Sequence, residues 1–462
     1  MKSISQNSKN QPLHQSVATL LAIVVAVGLS ACGTNAGLKS AQQQYRAGNF
    51  KGALAAIRSE SQKQKDDSKD APIIRLEHAS IAFTAGEKQE ALETFKLADQ
   101  AIELRDQKPV VQVSKEAAAL LSNLNSMPYN TSPSERVMGA SMMAVSFAAN
   151  GELEKARSAV KLAKNRQADT FAKYEAQIER ERKSVKEAMA AKPELKVELK
   201  PEKVDAQVSQ LMDSATRFLP YAGLSVPYSE VLAGILLGAG ANPDTNQSRA
   251  SFAHAVAANP ENQQLKKAAV SALTGTTHIL IEEGVAPALG EVKVTLPLMI
   301  NGNLVMFSAA FPTFQPQPLL NGAASLQVNG AAVSAESICD FDRIAAGEYK
   351  KKLPATVART VAASSLKSVL SYVAQQAAKQ QSDGLGSIAM LAGAVYNVAS
   401  AQADERIWAT LPKTVRYAVV PTPANGEIKI NGQSIPLPKD GSTKLVIARC
   451  VNGVVSSQTV GL

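Results

Sequence analysis

Hydrophobic and polar positions follow two different periods along this chain. From about Leu38 to Val270 the apolar residues recur every three or four positions, the mark of amphipathic helices; near Thr277 they begin to alternate. Within the first stretch, small and large residues repeat at fixed separations. Gly86, Ala91, Phe95 and Ala98 return as Gly151, Ala156, Val160 and Ala163. A weaker copy is Gly48, Ala53 and Ile57, broken at Glu60. A more degenerate one is Ala250, His254 and Ala257, behind the longer turn Gly240-Ala-Asn-Pro-Asp244. Ala79 and Ala82, then Ala144 and Phe147, hold matching places in the helices before two of these turns. An alanine where antiparallel helices cross lets them approach, and a larger side chain one turn later fills the gap. One such pair cannot bury its face alone, so pairs have to stack. His254, at a plug position, is expected in the core rather than as a ligand.

Glu152 to Lys192 contains no Gly or Pro and interleaves Lys and Arg with acids. It reads as one long solvated helix projecting from the array. Lys192-Pro-Glu-Leu-Lys-Val-Glu-Leu-Lys-Pro201 then serves as a linker.

The alternating half carries its own signals. Ile279 and Ile281 face one way and His278, Leu280 and Glu282 the other; Val292, Val294 and Leu296 alternate with Lys293 and Thr295. Asn-Gly occurs at Asn301, Asn321, Asn329, Asn425, Asn431 and Asn452, mostly between apolar or β-branched residues. Type I′ hairpins need positive φ at both central residues, which Asn and Gly tolerate best. An antiparallel sandwich or barrel is the expectation. Glu336, Asp340 and Asp342 are expected at the start of a short helix ending in Lys350, Lys351 and Lys352, as caps suited to the helix dipole rather than as an acid/base pair. Leu353-Pro354 should open a second helix to about Gln381, and Gly384 to Ala403 a third that packs back on it. The expected class is therefore α+β multidomain: an all-α repeat array over 32–270, then an antiparallel β-rich domain over 271–462 with a helical hairpin inserted at about 338–403.

Composition narrows the function. A hydrophobic fraction of 45% with 19% charged residues is globular, and 462 residues give ample core. Net charge is +9, but it is spread thinly, aromatics are 5%, and basic and aromatic residues do not interleave, which argues against nucleic acid as a partner. HExxH, CxxC, GxSxG and Walker spacings are absent. His278 and Glu282 share a strand face but stand about 13 Å apart and cannot pair. Gly384-Leu-Gly386-Ser-Ile-Ala389, with Asp404 beyond it, fits the dinucleotide fingerprint in letters alone, because a polar helix end and not a strand precedes it. No catalytic, cofactor-binding or metal-binding residue is assigned, and no cofactor is expected.

The N-terminus reads as an address. Lys2 and Lys9 precede an apolar run from Val17 that ends at Leu29-Ser30-Ala31-Cys32, the layout of a secretory signal peptide over residues 1–31. Its ending resembles the lipobox of bacterial lipoproteins. That resemblance implies diacylation of the Cys32 thiol, cleavage before it and acylation of the new amine, which together hold a chain at a bilayer. Gly33, with no Asp close behind, implies the periplasmic side of the outer membrane. Cys339 and Cys450 would then sit in an oxidising compartment, either as a disulfide or as two buried free thiols.

Four further stretches join the lipobox: Glu135-Arg-Val-Met-Gly-Ala-Ser-Met-Met143 leading to Asn150-Gly151, Tyr228-Ser-Glu-Val-Leu-Ala-Gly234, Glu283-Gly-Val-Ala-Pro287, and Asp404-Glu-Arg-Ile-Trp-Ala-Thr-Leu-Pro412. Together they resemble a family of uncharacterised Gram-negative outer-membrane lipoproteins with tetratricopeptide-like repeats. The resemblance implies a cell-envelope setting and no particular activity. The leading expectation is a non-enzymatic lipoprotein whose helical array binds an envelope protein partner. The alternative is a small-ligand or glycan site in the β-rich half. A hydrolase has only unplaced carboxylates in its favour.

Overall fold

The computed structural model describes residues 36–107, 127–190, 201–271, 273–300, 303–379 and 402–462. The signal stretch with Cys32, the body of the Lys192–Pro201 linker, Asn301-Gly302 and the third helix expected in the insertion lie outside the described residues. The helices are α1 (Ala36–Arg46), α2 (Phe50–Gln62), α3 (Ala71–Ala85), α4 (Lys88–Gln107), α5 (Pro133–Ala149), α6 (Leu153–Ala190), α7 (Pro201–Thr216), α8 (Pro227–Gly238), α9 (Thr245–Ala258) and α10 (Gln263–Val270). Tight turns make antiparallel pairs of α1 with α2, α3 with α4 and α5 with α6, and a longer turn pairs α8 with α9. Each pair packs on the next in chain order. Gly86 (φ 91°) and Gly151 (φ 79°) adopt the left-handed conformation that ends one helix and allows an immediate return. Ala91, Phe95 and Ala98, and likewise Ala156, Val160 and Ala163, are buried at the crossings.

The fourth pair corrects the expected register. His254 is exposed; the buried residues of α9 are Ser248, Ser251, Phe252 and Ala255. Ser248, Phe252 and Ala255 have the spacing of Ala91, Phe95 and Ala98, so the true copy lies two residues earlier than Ala250, His254 and Ala257. Phe252 is the plug. A Cβ built on Gly234 would come within 2.6 Å of its ring, which is why α8 carries glycine there.

Helices α3, α5 and α8 are buried on nearly every side. A mostly apolar helix buried all round needs cover on two sides. Their partners in the pairs supply one. The other is a sheet.

The strands are β1 (Thr276–Glu283), β2 (Ala288–Ile300), β3 (Asn303–Gln315), β4 (Leu326–Val328), β5 (Ala331–Ala332), β6 (Glu336–Asp340), β7 (Thr414–Pro421), β8 (Glu427–Ile430), β9 (Gln433–Pro436), β10 (Lys444–Val451) and β11 (Val454–Gly461). Five form a sheet in the order β11-β10-β1-β7-β6. It is mixed rather than purely antiparallel, because β1 and β10 run parallel. One face, with Leu280, Tyr417, Val419, Leu445 and Ile447, joins the core of the helical stack. The opposite face, with Ile279, Ile281, Ala418, Val446 and Ala448, packs on Leu326, Ile428, Ile430 and Ile435 of a smaller sheet ordered β5-β4-β8-β9. The alternation expected from His278 to Glu282 is what divides the two faces. Helices, five-stranded sheet and four-stranded sheet thus form three layers, and one hydrophobic core runs across the expected boundary at 270/271.

Turn chemistry placed three hairpins. Asn329-Gly330, Asn431-Gly432 and Asn452-Gly453 have positive φ at both residues and join β4–β5, β8–β9 and β10–β11. Asn321-Gly322 has the same conformation in the loop after β3. At Asn425-Gly426 only the glycine is left-handed, because this turn closes from the amide of Gly426 to the carbonyl of Pro423.

The insertion also differs from expectation. α11 (Phe341–Lys379) is continuous through Pro354, where two helices were expected. Tyr349, Leu353, Val357 and Val361, four apart, lie buried with residues of α7 and β3, and that stripe crosses the proline. The single Tyr349 hydroxyl proton lies between two carbonyl acceptors, Pro312 at 2.9 Å and Leu211 at 3.1 Å, and holds the turn just before the proline. Asp340 does cap α11, its carboxylate accepting from the amide of Asp342. Asp342 pairs with Lys413. Glu336 caps a different helix, accepting from Gln263 at the start of α10. α11, α7, the outer half of α6 and the β2–β3 hairpin share a second core and form an arm. The long helix α6 is therefore covered along one side, with Tyr174 and Val185 buried, rather than free in solvent.

Cys339 and Cys450 are buried free thiols. They stand on β6 and β10, three strand spacings or about 14 Å apart. Cys339 faces the helices and Cys450 the small sheet. A disulfide needs Cα atoms about 4.4–6.8 Å apart, so the bridge is excluded. Both thiols should label fully in denaturant without reductant; protection lifted only by reductant would contradict this geometry. Phe252→Ala should lower stability by about 3–5 kcal/mol in urea melts, whereas His254→Ala should stay within about 0.5 kcal/mol of wild type.

Candidate functional site

A chain of buried polar groups runs between the helices and the sheet, and its centre is an extended segment, residues 402–411, that precedes β7. Burying an unpartnered carboxylate is costly, so each buried acid here requires donors. Glu77, fully buried in the middle of α3, accepts from the amides of Ala409 (2.7 Å) and Thr410 (3.2 Å), from the Thr410 hydroxyl (2.5 Å) and from the Gln42 amide on α1 (2.7 Å). Glu135 on α5 closes a capping box with Ser132 and also accepts from Trp408 N–H (2.9 Å) and the Tyr129 hydroxyl (2.5 Å). Asp70, at the start of α3, holds Arg406 (2.6 Å), whose guanidinium also grips Asp404 and lies over the Tyr129 ring. Trp408 is fully buried; its indole N–H reaches Ser80 and Thr410, and its ring lies 6.3 Å from that of Phe95.

Thr410 passes the network to the sheet. Its carbonyl accepts from Arg449 on β10, and Arg449 also donates to Tyr45 on α1 (2.7 Å). Arg449 is the register partner of Glu282, which accepts from Tyr228 on α8 (2.7 Å). Burial pushes the carboxyls of Glu77, Glu135 and Glu282 above the usual carboxylate range, against these hydrogen bonds and, for Glu282, the Arg449 charge. His278 does not join them. It stacks between Phe252 and Tyr417, bonds the Tyr417 hydroxyl, and is pushed down by burial to about 3, hence neutral. These acids therefore work as acceptors for backbone and hydroxyl groups of their own chain.

A separate cavity of about 480 Å³ opens where α6, the end of α8 and the turn before α9 meet. Glu154, Arg157, Lys161, Asn242, Asp244 and Asn246 are among its lining residues. Arg157, one of the lining residues, is itself buried, donating to the Leu236 and Ala239 carbonyls at the end of α8 and pairing with Glu154. Lys161 faces Asp244 at 3.9 Å.

Sequence reasoning missed the inner network, although two signals were present: Glu77, the only acid in the mostly apolar α3, and the Ser132-x-x-Glu135 capping pattern. Among the described residues no group of three or more His, Cys, Asp or Glu could hold a metal ion, and no helix is long and apolar enough to cross a membrane. Gly384–Ala389, from the dinucleotide match, lies outside the described residues; Asp404 is paired with Arg406. No protein-family model, no curated protein and no solved structure matches the chain.

Glu348 on α11 ties the arm to the body, accepting from the Ser134 amide (2.7 Å) and hydroxyl (2.9 Å) at the start of α5. Burial raises its carboxyl from 4.5 to about 7. The folded chain therefore keeps a proton that the unfolded chain releases between those values. This contribution is complete below pH 4.5 and lost as pH rises through 7. Glu348→Gln stays neutral, so its stability relative to wild type should rise by about 3 kcal/mol between pH 4.5 and 8. Urea melts of both proteins across that range measure it, and a constant difference would place the titration elsewhere.

Proposed function

We propose that the chain is a periplasmic lipoprotein, anchored to the outer membrane through acylated Cys32, that serves as a non-enzymatic scaffold for an envelope protein partner. The lipobox supports the anchor. The turn glycines and crossing alanines support a likeness of the helical stack to tetratricopeptide repeats. One observation carries the scaffold reading: the inner side of the stack is closed by the chain's own sheet and 402–411 segment, while the outer helices and the cavity at α6, α8 and α9 face solvent. The partner is therefore assigned to that outer side. The cavity mixes acids, bases and amides, which suits a polar protein segment. It lies among helical residues, which favours this reading over a glycan site in the β-rich half.

Separate expression of 33–270 and 271–462 is a poor test, since either piece would expose the shared core. Charge reversal is better. Lys161→Glu, half-exposed on α6 and facing Asp244 only at 3.9 Å, should leave the melting temperature within about 3 °C and weaken capture of a protein partner from envelope extract, more so at low salt. Unchanged capture would move the partner site off this cavity, and recovery of muropeptide instead of protein would favour the glycan alternative. Cys32→Ser should release the protein from membranes or leave it unprocessed. Mature variant in the outer-membrane fraction would refute the anchor.

A further inference from the structure

We propose that the free edge of β11 pairs antiparallel with the same edge of a second copy of this chain, joining the two five-stranded sheets. This inference is independent of Cys32 and of the cavity at α6, α8 and α9. β11 lies at one end of its sheet and pairs with β10 from Val454 opposite Val451 to Gly461 opposite Lys444; the Leu462 amide then donates to the Thr443 carbonyl. Bonded pairs alternate along an antiparallel ladder. Counting back from Leu462, it is Val460, Gln458, Ser456 and Val454 that bond β10, so the amides and carbonyls of Val455, Ser457, Thr459 and Gly461 point outward. Among the described residues none of those outward groups has a partner. The other end of the sheet is closed. β6 has five residues and a bulge between Ser337 and Cys339, and Asn262 and Asn259 donate to the carbonyls of Ser337 and Ile338. Short, bulged and covered edges prevent strand addition. β11 has eight residues in unbroken register, with no charge and no proline among them.

This edge is complementary to itself, which is what a two-fold interface requires. An axis at Gln458 sets Val455 opposite Gly461 and Ser457 opposite Thr459 of the second copy, and symmetry supplies the reverse pairs. All four outward residues then find partners. Each pair exchanges two hydrogen bonds, about eight in all, close to the number a typical interface carries. Ser457 and Thr459 stand beside Ala448 and Val446 on the face turned to the small sheet, and hydroxyl pairs of this kind favour cross-strand contact. No like charges meet, because the strand has none. The edge is also held ready. On its helix face Ser456 and Gln458 donate to the Thr84 and Phe83 carbonyls at the end of α3, so little ordering remains to be done on pairing. The cavity lies towards the β6 end of the stack, where Asn259, just after α9, reaches Ile338. A dimer through β11 therefore leaves both cavities open at its far ends.

The test is sedimentation velocity of the full chain in a Cys32→Ser background, across a concentration series. With the β11 edge intact it should show a monomer–dimer equilibrium. Ser457→Pro removes an outward amide that β10 does not use, at a place where an edge strand tolerates proline. It deletes two hydrogen bonds per dimer and should weaken association by roughly tenfold or more, with the melting curve little changed. Charge pairs then test the register. Ser457→Lys with Thr459→Lys sets Lys against Lys across the axis and should abolish the dimer. Ser457→Glu with Thr459→Lys sets Glu against Lys and should restore it. Both variants alter the same two partly exposed positions, and matched melting curves check that they fold alike. A chain that stays monomeric at every concentration would overturn the proposal and leave the edge to a strand of another protein. So would charge variants that dimerise to the same extent, which would place the contact elsewhere on the chain.

Discussion

Three helices with almost no exposed side set the architecture. α3, α5 and α8 are covered by their hairpin partners on one side and would expose continuous apolar surface on the other. At about 25 cal/mol per Å² of apolar surface, leaving such faces wet would undo much of the stability of a domain, so the sheet cannot be an optional neighbour. Its helix-facing strand positions complete the core that the helices begin. The far face of the same sheet then needs cover of its own, and the small β5-β4-β8-β9 sheet supplies it. The three layers follow from one requirement applied twice.

The same closure explains the buried polar groups. Apolar packing is non-directional and tolerates alternative dockings of sheet on helices. Glu77, Glu135, Asp70, Tyr45 and Tyr228 do not, because each finds its partners only when 402–411, β1 and β10 stand in one position. Removing one side of such a pair leaves a buried charge or acceptor unmatched, whereas the whole set costs little net free energy when it is satisfied. Their value lies in specifying one arrangement of layers.

Much of this was legible in the residues. The paired helices, their turn glycines, the change to alternation near Thr277 and three of the hairpins followed from period and turn chemistry, which are local. What failed was long-range or balanced between local and tertiary terms. Pro354 argues locally for a helix end, but the stripe from Tyr349 to Val361 packs across it. His254 fits the repeat by counting from the wrong alanine, because the turn from Gly240 to Asp244 is longer than those at Gly86 and Gly151. Parallel pairing of β1 with β10 joins residues far apart in the chain, and no local pattern reports it. Cys339 and Cys450 could not be judged until the strand order placed two strands between them.

The two cores differ in what they leave over. In the body, the inner carboxylates, the arginine on β10 and the histidine on β1 are all turned towards the chain itself, so chemistry there maintains the fold. The arm is a thinner structure: one hairpin, one side of α6, α7 and one long helix around a smaller core. A two-stranded hairpin has little stability of its own and depends on the helices beneath it. Covering its inner face satisfies that need, with Leu296, Phe307, Ala309 and Phe311 buried against Tyr349 and Leu353 of the long helix.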